Sequence, residues 1–186
     1  MLDTQVSNII KKRRSIYPKQ FTGKQIPKKF IIELLKNANT APTHKMTQPW
    51  FFKIYSKKSK IKLAKELIKI QKIKTIEIKE KLYTKFALTS HIICICMRRS
   101  EVTKIPEWEE VAATAMAVQN IWISCVNSQN IGGYWSTPGA HNKLNKFLKL
   151  KNNERCLGLF YLGIHDSTKN RKKPRKNIQT DICWCN

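Results

Sequence analysis

One long helical pattern, at 107–130, constrains the fold of this chain more than any other part of its sequence. Its first turn carries three glutamates, which suit the positive end of a helix dipole. Small side chains follow and would let other elements pack closely around the helix. They are Ala112, Ala113, Ala115 and Ala117. We therefore predict a buried central helix that Gly132-Gly133 brings to an end, since glycine pairs act as helix stops.

Shorter helices and strands alternate around this pattern. A first helix is predicted to be capped by Asp3 and to end near Ser15, and a second to begin at Pro27 and end before Pro42. Further helices are predicted at 60–72, 75–86 and 141–149, and strands at 50–55, 91–97, 134–135 and 156–164. Because no internal repeat is present, the sequence predicts one α+β domain at 1–164. The basic tail at 165–186 is expected to pack on a partner subunit or to be disordered.

Membrane and metal functions find little support in the sequence. No apolar stretch approaches the roughly 18 residues that span a bilayer, and 1–12 lacks the apolar core of a signal peptide. A cytoplasmic location is therefore expected, with the six cysteines as reduced thiols. No metal site is predicted, because Cys183 and Cys185 have no further ligands at a known spacing.

The charge is strongly positive, with 36 basic and 12 acidic residues and a net charge of +24. Such a balance by itself suggests a polyanionic partner, either a nucleic acid or an anionic membrane. However, only seven of the basic residues are arginine, the side chain favoured for planar phosphate recognition. The lysines are scattered along the chain. We therefore expect nonspecific attraction to polyanions, with neither a specific nucleic-acid partner nor a membrane partner.

Two segments combine residues suited to a phosphate-bearing ligand. Arg13-Arg14-Ser15 offers two guanidinium groups and a hydroxyl that could clamp a phosphate, or it is simply the solvated basic end of a helix. The loop 41–50 places His44, Gln48 and two prolines before a buried strand. Such a loop positions polar groups at a ligand, or it is a connector with Trp50 in the core.

A third segment, 132–138, carries two glycines, an aromatic pair and the hydroxyls of Ser136 and Thr137. This combination suits a flat polar ring, although the glycines could equally be only a helix stop. No Ser-His-Asp set, paired carboxylates or phosphate-binding glycine loop is recognisable in the sequence. A bound cofactor would explain chemistry without a catalytic constellation of side chains.

Taken together, these segments resemble the nitroreductase family, most closely its compact NAD(P)H nitroreductase members. The resemblance rests on Arg13-Arg14-Ser15, Ala-Pro-x-His-Lys-x-x-Gln-Pro-Trp at 41–50, Ile-Pro-Glu-Trp-Glu at 105–109 and Gly-Gly-Tyr-Trp-Ser at 132–136. The order and spacing agree over residues 6–164. The joint occurrence is specific, whereas each motif alone is weak.

This resemblance implies a nitroreductase-like α+β fold, with a central mixed or antiparallel sheet flanked by helices, and an obligate homodimer with FMN at two interface sites. Arg13, Arg14 and Ser15 would hold FMN in one subunit, and His44 would approach the same FMN from the other. Trp135, Ser136 and Thr137 match the stretch that contacts the flavin, and the role of Gln48 is left open. No side chain is expected to be catalytic. NAD(P)H would give a hydride to N5 of FMN and leave, and a nitro compound, quinone or similar acceptor would then take two electrons in a ping-pong cycle.

The sequence departs from relatives at three places. Compact relatives can have arginine four residues before the loop histidine, where this chain has Thr40, and many members have a basic residue at the position of Tyr17. The basic run 171–176 lies where larger members supply phosphate-binding side chains. Two alternatives therefore stay open: a flavin-binding homologue without turnover, and a basic protein that binds nucleic acid or a membrane surface.

Overall fold

The computed structural model describes residues 3–101, 104–128, 130–166 and 174–185. The helices are α1 (Thr4–Lys12), α2 (Lys28–Ala38), α3 (Lys58–Ile70), α4 (Ile76–Leu88), α5 (Glu107–Ser124) and α6 (Leu144–Phe147). The strands are β1 (Trp50–Ser56), β2 (His91–Arg98), β3 (Ile131–Ser136) and β4 (Glu154–Ile164). Short 3-10 turns lie at Pro18–Gln20, His44–Met46, His141–Lys143 and Ile178–Asp181. None of the helices described here is long and apolar enough to cross a membrane.

The described strands form one antiparallel sheet in the order β1-β2-β4-β3. This arrangement confirms the predicted α+β fold with a sheet flanked by helices. The central strand β2 is buried from His91 to Met97, as expected for a strand covered on both faces. β3 lies at one edge, and its outer side meets the chain at Ser15 through an isolated parallel bridge between Ser15 and Gly133. This edge positions the candidate site.

Apolar side chains cover both faces of the sheet and divide the core in two. On one face, α2 and α5 pack against Ile93, Ile95 and Phe160. On the opposite face, Leu63 of α3 and Phe86 of α4 join the core. The two helix pairs therefore lie on opposite sides of the sheet, which keeps the outer surface of α3 and α4 apart from α5.

The central helix is buried as predicted, but it is shorter. Ala113 and Ala117 are fully buried, and α5 ends at Ser124 instead of near residue 130. The hydroxyl of Ser124 donates to the carbonyl of Asn120 at 2.7 Å. Such a side-chain hydrogen bond competes with the backbone hydrogen bonds that would continue the helix. The prediction that Gly132-Gly133 stops this helix is wrong, because both glycines lie inside β3.

Other element boundaries shift by a few residues. The Asp3 cap is confirmed, since its carboxylate accepts from the backbone N–H of Gln5 at 2.7 Å. α1 ends at Lys12 because Arg13 leaves the helical conformation with φ −54° and ψ 130°. The helix predicted at 141–149 is a 3-10 turn followed by the single turn of α6. The strand predicted at 134–135 is the longer β3.

Candidate functional site

Arg13, Arg14 and Ser15 lie where α1 ends against the outer side of β3. The indole N–H of Trp122 ties this segment down, because it donates both to the Arg14 carbonyl at 3.1 Å and to the Gly133 carbonyl at 3.0 Å. The next residue, Ile16, donates its backbone N–H to Gly133 at 3.0 Å. The triplet is therefore held between β3 and α5, and is not a freely solvated helix end.

Positive charge is concentrated at this point. The Arg13 guanidinium lies over the Trp122 ring, 4.8 Å from its centroid. Burial lowers the pKa of Arg13, and the neighbouring cations Arg175 and Arg14 lower it further. No ion pair among the described residues involves any of these three arginines. The cluster is thus electrostatically uncompensated by the chain itself.

Several donors at the site have no partner within the chain. Across the described residues, four buried side-chain nitrogens lack a hydrogen bond: Arg13 Nη1, Arg14 Nε, Trp135 Nε1 and Arg155 Nε. Three of the four belong to residues predicted from sequence to bind the cofactor. Buried polar groups are nearly always paired, so the two arginine nitrogens favour a ligand with acceptor oxygens, such as a phosphate.

Glycines let the site approach the sheet closely. A Cβ on Gly133 would lie 2.3 Å from the ring of Phe160, and one on Gly132 would lie 2.4 Å from Ile16 Cγ1. Gly158 of β4 has φ 144°, and a Cβ there would lie 2.5 Å from the indole nitrogen of Trp135. These glycines are required by packing, which explains their place in strands.

β3 links the arginines to the second group of predicted residues. Ser15 lies opposite Gly133, and Ser136 follows three residues further along the strand, at about 10 Å for a rise of ~3.3 Å per residue. Trp135 and Ser136 are half-buried, and Thr137 is exposed. The arginines and these β3 residues thus lie about 10 Å apart along one strand.

The cavity beside this edge does not enclose a flavin on its own. Its volume is about 130 Å³, and Lys12, Arg14, Trp122 and His165 are among the residues that line it. Sites that bury drug-sized ligands are typically about 300–1,000 Å³. A cofactor at this edge would therefore need further walls.

His44 occupies a different part of the chain surface. Its Nδ1 lies 2.5 Å from Oε2 of Glu109, in the first turn of α5. The loop around it is held by its own contacts, including a 3.2 Å hydrogen bond from the Gln48 N–H to the Thr43 hydroxyl. Lys45, Met46 and Gln48 all have positive φ, a costly conformation for residues other than glycine that is common at binding sites.

Within one subunit the two halves of the predicted site are not brought together. His44 pairs with Glu109 at the start of α5, whereas Arg13 stacks on Trp122 near its end. The thirteen intervening residue steps correspond to about 20 Å at ~1.5 Å per residue. A cofactor bound to one subunit would contact only one of the two halves. It would contact both if a second copy of the chain supplied the other half.

Two residues of this arrangement, Trp122 and Gly158, were missed by sequence reasoning, and Arg175 was marked only as part of the basic run 171–176. Trp122 lies in an apolar helix where nothing distinguishes it from a core residue. Gly158 carried a usable signal, because an isolated glycine inside a strand often marks a close approach.

Comparison with known proteins identifies relatives over nearly the whole chain. The sequence profile of the Nitroreductase family matches residues 10–164. Putative NAD(P)H nitroreductase YfhC of Bacillus subtilis (strain 168) is 24% identical over 173 residues, which cover 89% of this chain and 87% of YfhC. A nitroreductase-like family protein from Bacillus cereus has TM-score 0.83 and 27% identity, over 100% of this chain and 98% of its own. The FMN-dependent nitroreductase NfnB from Mycobacterium smegmatis, solved with NADPH, has TM-score 0.75 and 14% identity, over 97% and 98% of the two chains.

Proposed function

This chain belongs to the nitroreductase family, and on that premise we propose that it is an FMN-dependent oxidoreductase that uses NAD(P)H. The observation that carries the proposal is the set of buried, unpaired donors of Arg13, Arg14 and Trp135 along one strand edge. The names of a relative and of a structural neighbour support it: YfhC is named "Putative NAD(P)H nitroreductase", and NfnB is described as FMN-dependent and in complex with NADPH.

The phosphate of FMN would be held by the residues at the end of α1. Arg13 Nη1 and Arg14 Nε are buried donors without a partner, while Arg14 Nη1 donates to the carbonyls of Lys11 and Arg13. The Ser15 hydroxyl adds a further donor. Arg175 lies close enough to lower the pKa of Arg13, so it joins the same cation cluster. Gathering like charges is costly unless an anion compensates them, which is the physical reason to assign a phosphate here.

The ring of FMN would lie against Trp135, Ser136 and Thr137. When bound, FMN would supply the redox chemistry for hydride transfer from NAD(P)H and for two-electron reduction of a nitro, quinone or similar acceptor in a ping-pong cycle. The chain's own part is to bind and orient. The Trp135 indole nitrogen is buried beside Gly158 and has no hydrogen-bond partner. The hydroxyls at 136 and 137 add hydrogen-bonding capacity at the open end of β3.

A homodimer would complete the site, with His44 of the partner subunit approaching the cofactor held by Arg13. Within one chain, the two predicted halves are separated by about 20 Å along α5. In a homodimer, one half from each subunit would contact the same FMN. Exposed apolar side chains support a partner surface. α1 has no buried residues, with Val6 and Ile10 exposed, and Trp108 of α5 is 69% exposed.

A second candidate is a flavin-binding homologue without turnover. Thr40 stands where compact relatives can have arginine, and its hydroxyl donates to the Asn37 carbonyl at 2.8 Å and accepts from Asn120 at 3.4 Å. Its hydroxyl is thus hydrogen-bonded within the chain. This feature favours weaker flavin contacts on that side.

The visible spectrum of the purified protein, recorded without oxygen before and after NADH or NADPH, tests both candidates. We expect flavin bands that bleach with at least one nicotinamide. Flavin bands that neither nicotinamide bleaches would select the homologue without turnover. A colourless protein that takes up no added FMN would refute the assignment.

A further inference from the structure

Positive charge is distributed unevenly over the described fold. Residues 57–81 span α3, the first six residues of α4 and the connection between the two helices. They hold ten lysines and three glutamates, and no arginine. Residues 82–166, by contrast, hold nine basic and six acidic residues. Residues 57–81 therefore carry a net charge of +7, and they lie on the sheet face opposite α5.

The lysines of α3 form a single exposed face. Lys58, Lys62, Lys65 and Lys69 recur at helical spacing, all are exposed, and Ile61 lies among them with 49% of its surface accessible. The opposite face of the helix is buried through Leu63, Ala64 and Leu67. No ion pair among the described residues involves any of the four exposed lysines.

The charge pattern does not serve the stability of the helix. The first turn of α3 contains no acidic residue and begins with lysines, although cations are unfavourable at the N-terminal end of a helix dipole. A second cation, Lys60, is buried beneath the same turn, donates to the Thr89 carbonyl and has a pKa lowered by burial. An external anionic surface would compensate this arrangement.

The neighbouring helix α4 adds exposed apolar side chains. It packs beside α3 and buries only Phe86. Ile76 is 72% exposed, and Ile78 and Tyr83 are also exposed. Large aliphatic side chains surrounded by lysines are the composition with which helices lie on anionic bilayers, the apolar groups entering the headgroup layer and the ammonium groups meeting phosphates.

We propose that the α3–α4 hairpin, defined as residues 57–88, is a surface that binds reversibly to membranes containing anionic phospholipids. A nucleic acid fits these residues less well, because arginine and stacked aromatic side chains are favoured there, and the hairpin has no arginine. The proposal opposes the sequence-based expectation of no membrane partner. It needs no membrane-spanning helix and no part of the proposed flavin site.

Co-sedimentation of the FMN-treated full-length protein with lipid vesicles tests the proposal. Vesicles of phosphatidylcholine alone are compared with vesicles in which about one third is phosphatidylglycerol, at about 0.15 M salt, where screening is physiological. We expect binding only to the anionic vesicles. The triple substitution K62Q/K65Q/K69Q should weaken binding about a hundredfold, at about fivefold per lysine, while K24Q/K28Q/K29Q, which removes the same charge at the start of α2, should weaken it far less.

A second matched pair separates insertion from charge. Ile61→Ser should weaken binding to anionic vesicles about tenfold, whereas Ile32→Ser, at a similarly exposed position of α2, should leave it unchanged. Equal losses for the two triple variants would overturn the proposal, because net charge alone would then explain the binding. Equal binding to neutral vesicles, or preference for double-stranded DNA over anionic vesicles, would overturn it as well. None of these outcomes depends on flavin colour, so the result is independent of the proposed oxidoreductase function.

Discussion

The two halves of the candidate site are built in opposite ways. Around Arg13, helix α1 ends against strand β3, and glycines let neighbouring side chains approach the backbone closely. The Trp122 indole N–H donates to two backbone carbonyls there. Around His44, an irregular loop with three positive-φ residues is held mainly by its own hydrogen bonds and one contact to Glu109. The half around Arg13 leaves buried side-chain donors without a hydrogen bond, whereas His44 in the loop is hydrogen-bonded to Glu109. This difference is the one expected if the strand edge binds the ligand and a second subunit brings the loop histidine to it.

Gly133→Ala should cause the largest effect, a loss of stability in the half of the site around Arg13. The new Cβ would lie 2.3 Å from the buried Phe160 ring, so the strand must shift, at a cost of about 3 kcal/mol in the free energy of unfolding. Chemical denaturation measures this loss. Gly139→Ala, where a Cβ meets nothing within 4 Å, serves as the control, and similar stabilities for the two variants would contradict the proposed packing.

Arg13→Gln should lower FMN affinity about a hundredfold, because hydrogen bonds to charged groups contribute about 1.5–3 kcal/mol each. Fluorescence titration of the apoprotein with FMN measures the change. Lys11→Gln removes the same charge from the exposed face of α1 and should have a small effect. If both variants lose affinity equally, Arg13 has no specific role.

Trp108→Ser should weaken dimerisation about thirtyfold or more, since buried tryptophans are common hot spots of interfaces. Trp108 is 69% exposed in the single chain, so folding of the subunit should be little affected. Sedimentation at several concentrations measures the dimer dissociation constant. FMN affinity should fall in parallel at low protein concentration; an unchanged dimer would remove Trp108 from the interface.

His44→Ala should have the smallest effect, lowering FMN affinity about tenfold and the free energy of unfolding by less than about 1 kcal/mol, because the lost contact to Glu109 is half-exposed. The histidine is half-exposed and contacts only the Glu109 carboxylate among its described side-chain partners. Comparing FMN titration with chemical denaturation separates the two quantities. Loss of stability without loss of affinity would make His44 a structural residue of the loop.

Sequence reasoning predicted the elements whose signal is local. The buried strands at 50–55 and 91–97 agree with β1 and β2 to within a residue, because continuous apolar runs are visible in the chain. The role of Gly132-Gly133 was misread because the contacts that require glycine, with Ile16 and Phe160, are distant in sequence. Arg13 and His44 were identified as candidates by resemblance, but their separation along α5 becomes visible only in the fold.

A mixed dimer of an Arg13→Gln chain with a His44→Ala chain tests most directly whether each site draws on both subunits. Purified through two different affinity tags, it should bind FMN at half of its sites with the affinity of the unmodified protein. One site would then contain both intact residues and the other both substitutions. If each site lies within one chain, every site carries one substitution, and titration would show no site of unmodified affinity. That result would contradict a flavin site shared between two subunits.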